Sequence, residues 1–163
     1  MIAYPGDELG VIKVKKVNTS EEPISIKAHI TSVTNICLSH DGKLLATAST
    51  KGTIIRVFNT RDGTTVKELR RGVENAQIFS IAFTKDSQYL SCTSDKLTLH
   101  VFSVRNGDSD KSIFRLKFKE NQFIAVFGEN NSLNVVTSDG NYYKYEVKQQ
   151  GKYDLVMKQK LQY

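Results

Sequence analysis

Two arginines stand side by side, Arg70 and Arg71. They lie between two stretches of similar make-up, Ser49-Thr50-Lys51-Gly52-Thr53 with Arg56 beyond it and Ser94-Asp95-Lys96-Leu97-Thr98 with His100 beyond it, and His29 precedes the first. These residue types bind oxyanions. A guanidinium is a rigid planar fork that pairs bidentately with phosphate oxygens, which the point charge of a lysine does less well. Hydroxyls and backbone amides of a short loop complete such a shell, and a glycine such as Gly52 lets backbone come close. Adjacent residues of extended backbone point to opposite sides, so Arg70 and Arg71 serve two sites rather than one. The first site gathers Arg70, His29, Ser49, Lys51, Thr53 and Arg56. The second gathers Arg71, Ser94, Lys96, Thr98 and His100, with Thr98 in the place of Thr53. Plainer roles stay open for each residue: an exposed arginine pair is often only solvated, Ser and Thr between strands form turns, and His29 can serve a structural hydrogen bond.

The elements that carry these residues repeat. Asp41 to Thr53 aligns with Asp86 to Thr98 at an offset of 45, Arg56-Val57-Phe58 falls on His100-Val101-Phe102 at an offset of 44, and Leu133 to Gly140 forms a weaker third copy. A period of this length, built from short β-rich runs parted by Gly, Asn, Asp or Ser and lacking a helical stripe, is that of a β-propeller blade. The fold class is therefore all-β, a partial WD40-like propeller of about three and a half four-stranded blades. Strands are expected near Val33–Leu38, Leu44–Ala48, Ile54–Phe58, Val66–Leu69, Ile78–Phe83, Tyr89–Thr93, Thr98–Val104, Ile113–Phe118, Phe123–Phe127, Leu133–Val136, Tyr142–Val147 and Asp154–Lys158. The blades then span 30–69, 73–118 and 122–163, with 1–29 the end of an earlier one. Such a number of blades cannot close a ring, and the missing blades are expected from a longer chain.

Composition narrows the partners. A net charge of +6 and a pI near 9.3 favour an anionic partner. The longest apolar run is Phe123 to Phe127, far below the roughly 20 residues of a spanning helix. The first residues lack the basic start and apolar stretch of an export signal, which makes a cytoplasmic address the default expectation. Cys37 and Cys92 have no second Cys or His at a ligand spacing, so neither a metal nor a cofactor is expected, and they read as small buried hydrophobes. The histidines come without a nucleophile elbow or paired acids, so no enzymatic activity is expected. Nucleic acid is not expected either, because Phe58, Phe83, Phe102, Tyr143 and Tyr145 sit in strand patterns rather than on an exposed stacking surface. His40 precedes Asp41-Gly42 and reads as a turn residue.

The order Ala28-His29, Ala46 to Phe58, Leu69-Arg70-Arg71-Gly72 and Ser94 to Phe102 resembles the PROPPIN family, the WIPI-type autophagy β-propellers, over the C-terminal half of such a protein. The resemblance implies a seven-bladed propeller that binds phosphatidylinositol 3-phosphate and phosphatidylinositol 3,5-bisphosphate through two sites flanking the Arg-Arg motif. It also implies peripheral recruitment to autophagosomal, endosomal or vacuolar membranes and autophagy protein partners, among them a large lipid-transfer protein. The alternative is a protein-interaction scaffold with weak or lost lipid binding. Two departures stand out. Leu97 replaces the glycine common in the second loop, where a side chain is expected to hinder phosphate approach. The connection from Arg105 to Ser112 has no aromatic or aliphatic residue and cannot insert into a bilayer as the family's longer loop does, so Arg70 is expected to matter more than Arg71 for lipid.

Overall fold

A computed structural model of the chain describes residues 1–119, 122–150 and 152–162; Gly151 and Tyr163, within the blade expected over 122–163, lie outside them. Fifteen strands form one three-stranded and three four-stranded antiparallel sheets. Sheet one holds β1 (Ile2–Pro5), β2 (Val11–Lys15) and β3 (Ile24–Lys27). Sheet two holds β4 (Val33–Leu38), β5 (Leu44–Ser49), β6 (Ile54–Asn59) and β7 (Thr65–Arg70). Sheet three holds β8 (Ile78–Phe83), β9 (Tyr89–Ser94), β10 (Thr98–Ser103) and β11 (Phe114–Lys117). Sheet four holds β12 (Phe123–Phe127), β13 (Ser132–Thr137), β14 (Asn141–Gln150) and β15 (Lys152–Gln162). The expected strands fall on these to within a few residues. The largest differences are at β14 and β15, which pair as a long hairpin beyond the expected ends, and before Val33, where three strands stand.

The sheets stack face to face because period-two alternation gives each an apolar side toward its neighbour. Ala46, Ala48, Ile55, Val57 and Leu69 of sheet two meet Ile78, Leu90, Cys92, Phe102 and Val104 of sheet three. Leu45 and Phe58 meet Ile12, Val14 and Ile26 of sheet one on the other side. Tyr89, Leu99, Val101 and Phe118 meet Phe123, Ala125, Leu133 and Val135 of sheet four. Phe58, Phe102, Tyr143 and Tyr145 are core residues, Phe83 is half-buried, and Cys92 is buried while Cys37 is only partly so.

Each link between sheets is laid over a turn of the sheet it leaves. Ala28 and His29 donate backbone N–H to the Gly10 carbonyl, and Ala76 donates to the Lys51 carbonyl. The turn residue underneath takes left-handed backbone: φ is +75° at Gly10, +58° at Gly52 and +57° at Leu97. A Cβ on Gly10 would lie 1.9 Å from the His29 carbonyl oxygen, and one on Gly52 1.9 Å from that of Ala76. The space beside Gly52 is thus filled by the next link, which corrects its expected use as an approach for phosphate. Leu97 adopts the same left-handed turn at the cost of a side chain there, on the order of 1 kcal/mol. Its presence in place of glycine is thus a strain on the turn.

Gly52→Ala therefore combines unfavourable φ with a clash against backbone, and is expected to lower stability by more than about 2 kcal/mol in urea titration. Gly107→Ala has a comparable φ of +84° but meets nothing within 4 Å, and should cost only about 1 kcal/mol. Equal losses in the two variants would refute the packing role given to Gly52.

Candidate functional site

Strand register sorts the named residues onto two grooves. Thr47 pairs with Arg56, Arg56 with Glu68, and Ile54 with Arg70, so their side chains share the face of sheet two turned to sheet one. In sheet three, Cys92 pairs with His100, His100 with Arg115, and Thr98 with Lys117, on the face turned to sheet two. Arg70 and Arg71 thus diverge, Arg70 at the first groove and Arg71 toward the second.

The first groove opens as a cleft of about 180 Å³ lined by His29, Ile30, Thr31, Ser49, Lys51, Thr53, Ile54 and Arg56. Five of the six residues expected there line it, and Arg70 lies beside it across the strand pair from Ile54. His29 is buried, with Nε2 2.9 Å from the Thr47 hydroxyl. Burial, then the nearby Arg56 charge, lowers its pKa, so the ring is neutral at pH 7. Arg56 is not a free phosphate ligand: its Nε donates to Glu68 Oε1 at 2.6 Å and its Nη1 to the Ala28 carbonyl at 2.8 Å. Sequence reading missed Glu68, an acid whose position opposite Arg56 follows only from pairing. Arg70 is exposed, and among the described residues its guanidinium has no hydrogen-bond or ion-pair partner.

Arg71 differs sharply from its neighbour. It is 8% exposed; its Nε donates to the Gly52 carbonyl at 2.6 Å, and its Nη2 donates to the Glu74 carbonyl. Two of its donors pin the link from β7 to β8 onto the β5–β6 turn, so Arg71 is a structural brace as well as a charge at the second groove. Its field reaches His100. Burial first, then Arg71 and Arg115, push the His100 pKa down to about 4. His100 Nε2 lies 3.2 Å from the Thr98 hydroxyl, and Ser94 is fully buried. Lys96 is exposed and 3.9 Å from Glu74.

Register also corrects one pairing and adds two cations. Thr98 begins β10 where Ile54 begins β6, since each stands one residue before the Ile55–Ala48 and Leu99–Thr93 pairs. Thr53 therefore has no counterpart in the second turn, and the equivalence expected between Thr53 and Thr98 fails by one residue. Continuing across the sheets, Arg115 and Lys117 occupy the places of Glu68 and Arg70. Both are exposed. The second groove thus carries four cations, Arg71, Lys96, Arg115 and Lys117, with the acid Glu74 beside Lys96, where the first carries three, Lys51, Arg56 and Arg70, with Glu68. By count of charges the second is the more cationic, whereas the expectation from sequence is that Arg70 of the first matters more for lipid. An alternating basic pattern in Arg115-Leu116-Lys117 was the available signal, invisible without knowing which turn it faces.

Among the described residues, two buried side-chain polar atoms lack a partner, Thr31 Oγ1 in the first groove and His100 Nδ1 in the second. Buried polar atoms are nearly always satisfied, and here each groove keeps one in reserve. The connection from β10 to β11 takes no part in either groove. It folds back on β7, where the Asp110 carbonyl accepts from Arg70 N–H at 2.9 Å and the Arg105 carbonyl from Lys67 Nζ at 2.8 Å.

Stacked four-stranded sheets with paired peripheral grooves define a β-propeller of the WD40 type. The PROPPIN family model matches residues 1–113, and the chain belongs to the PROPPIN family. SVP1-like protein 2 of Neurospora crassa is 50% identical over 103 residues, which is 63% of this chain and 24% of that protein. Autophagy-related protein 18e of Arabidopsis thaliana is 36% identical over 165 residues, 87% of this chain and 44% of that protein. Among solved structures, Kluyveromyces lactis Hsv2 superposes with a TM-score of 0.87 at 27% identity, covering 94% of this chain and 57% of that one. A complex of KlAtg21 with the coiled coil of AgAtg16 gives 0.77 at 25%, covering 97% and 50%. The chain spans less than two thirds of the length of each.

The depressed histidines set a pH dependence. Folding excludes a proton from His100, so stability is complete above its ordinary value of 6.5 and declines as pH falls from there toward about 4. The loss is expected to be on the order of 2 to 3 kcal/mol in urea titrations, and His100→Gln should flatten that window. Arg71→Ala breaks one buried and one partly buried hydrogen bond and is expected to cost about 2 kcal/mol, against less than about 0.5 kcal/mol for exposed Arg70→Ala. Thermal melts of the two variants check this difference.

Proposed function

We propose that the chain forms the phosphoinositide-reading part of a β-propeller that acts in autophagy as a membrane effector and scaffold. The carrying observation is the pair of unsatisfied buried atoms, Thr31 Oγ1 and His100 Nδ1, each in a groove with unpaired cations at its mouth. A phosphorylated inositol ring offers both what is missing: oxygens for the forked guanidinium of Arg70 and the charges of Arg115 and Lys117, and acceptors or donors for the orphaned atoms. His29 and His100, neutral at pH 7, act as hydrogen-bonding groups rather than as charges. The grooves gather donors and cations, which suits holding an anion rather than turning one over.

Phosphatidylinositol 3-phosphate and phosphatidylinositol 3,5-bisphosphate are the ligands this reading assigns, with the bisphosphate favoured at the more cationic second groove. Recruitment is peripheral, from the cytoplasm to autophagosomal, endosomal or vacuolar membranes. Autophagy proteins, including a lipid-transfer protein, are the proposed partners; the coiled coil held by the related Kluyveromyces protein supports a scaffold role beside the lipid one.

Co-flotation separates these. The chain is expected to float with vesicles carrying phosphatidylinositol 3-phosphate and not with phosphatidylserine vesicles of equal charge, to lose part of that binding in Arg70→Ala, and to lose most of it when Arg115→Ala and Lys117→Ala are added. Equal binding to both vesicles, or full retention by Arg70→Ala combined with Arg115→Ala and Lys117→Ala, overturns the specific-lipid reading in favour of a protein scaffold.

A further inference from the structure

Among the described residues, the two most exposed large apolar side chains are Ile30, 83% exposed, and Val73, 86% exposed. Each is the third residue after an outer strand, Ile30 after β3 and Val73 after β7. Single exposed aliphatics are ordinary on protein surfaces, but these two occupy corresponding places on consecutive links. Both links leave the same end of the stack, because the antiparallel strands bring the ends of β3 and β7 to the side of the Gly10 and Gly52 turns on which the links are seated.

Their surroundings are basic. Ile30 lines the first cleft together with His29, Lys51 and Arg56. Val73 follows Arg71 and Gly72 at the mouth of the second groove, with Lys96 close enough to pair with Glu74. Val73 itself projects into solvent, and Gly72 before it adds no side chain to cover it. The links themselves are held firmly: Arg71 and Gly72 donate backbone N–H to the Thr53 carbonyl, and Ala76 to that of Lys51. The result is a pair of aliphatic tips on braced backbone, Ile30 beside Lys51 and Arg56 and Val73 beside Arg71 and the Lys96–Glu74 pair. A water-soluble surface gains nothing from that arrangement, whereas an interface of anionic headgroups over acyl chains satisfies both halves of it.

We infer that Ile30 and Val73 are bilayer anchors, entering the acyl region beside the headgroup held in each groove. The bilayer is the occupant because cations outnumber acids around the tips, His29, Lys51 and Arg56 lining the cleft with Ile30 and Arg71 and Lys96 standing near Val73 against the single acid Glu74, and because the Arg105–Ser112 connection, which has no apolar residue to offer, is tied down on β7. The inference rests on the phosphoinositide reading, to which it adds the depth and orientation of the docked chain: the end of the stack that carries the links faces the membrane.

The chain contains no tryptophan, so Ile30→Trp and Val73→Trp each give a single reporter. His40→Trp, on a turn at the opposite end of sheet two, is the control. With vesicles of phosphatidylcholine and phosphatidylinositol 3-phosphate bearing brominated acyl chains, emission at 30 and 73 is expected to shift to the blue and be quenched, and emission at 40 to stay unchanged. Ile30→Ser with Val73→Ser should weaken flotation about tenfold or more while leaving binding of the soluble inositol 1,3-bisphosphate headgroup unaltered. Unquenched reporters on vesicles that do bind the chain overturn the anchor and leave the headgroup reading standing. A chain that binds neither the vesicles nor the soluble headgroup overturns the headgroup reading and the anchor with it. Loss of a protein partner in the double variant, with vesicle binding intact, assigns the tips to a protein interface and likewise overturns the anchor.

Discussion

The molecule depends on a contact between two backbones. To pass from one sheet to the next, the chain crosses a turn of the sheet it leaves, and at the Gly10 and Gly52 turns it does so at a distance that leaves no room for a side chain below it, while the Leu97 turn accommodates one. At Gly10 and Gly52 a carbonyl of the link stands where a Cβ would be. The crossing after β7 also fixes the backbone on which Arg71 and Gly72 stand, since both donate N–H to the Thr53 carbonyl of the turn below. Arg71 reinforces it by giving two of its donors to carbonyls on either side of the crossing. A residue whose type suggests a ligand is therefore also a fastener.

This shared duty makes the two grooves unequal. In the first, Glu68 neutralises Arg56 and fixes it against the Ala28 carbonyl, so the free charge is that of Arg70 and Lys51. In the second, Arg71 is partly committed, but Arg115 and Lys117 stand where the first has Glu68 and Arg70. Buried beside this excess of positive charge, His100 gives up its proton far below neutrality. The second groove thus combines exposed cations with a neutral imidazole of which one nitrogen, Nδ1, is unsatisfied.

Much of this was legible in the sequence. The 45-residue repeat, the strand phases and the divergence of Arg70 from Arg71 are consequences of local periodicity, which needs no tertiary knowledge. What could not be read were partners fixed by register. Glu68 and Arg115 lie 12 and 15 residues from the groove residues they oppose, and only the pairing of outer strands reveals that they share a face. The single-residue gap after Gly52 was visible, but its place was not, because Thr53 and Thr98 match by letter while the ladder matches Thr98 to Ile54. Leu97 looked like damage to a site; its left-handed backbone shows that the turn was kept and the strain accepted.

The short connection folded back on β7 has a consequence of another kind. An outer strand leaves a row of unpaired N–H and C=O groups that another strand can extend. Here the Arg70 N–H is taken by Asp110, and Lys67 reaches over the same edge to Arg105. Where a longer loop would swing free, this one blunts the edge on which it lies, and sheet two is closed to strand addition at the end where its functional charge is displayed.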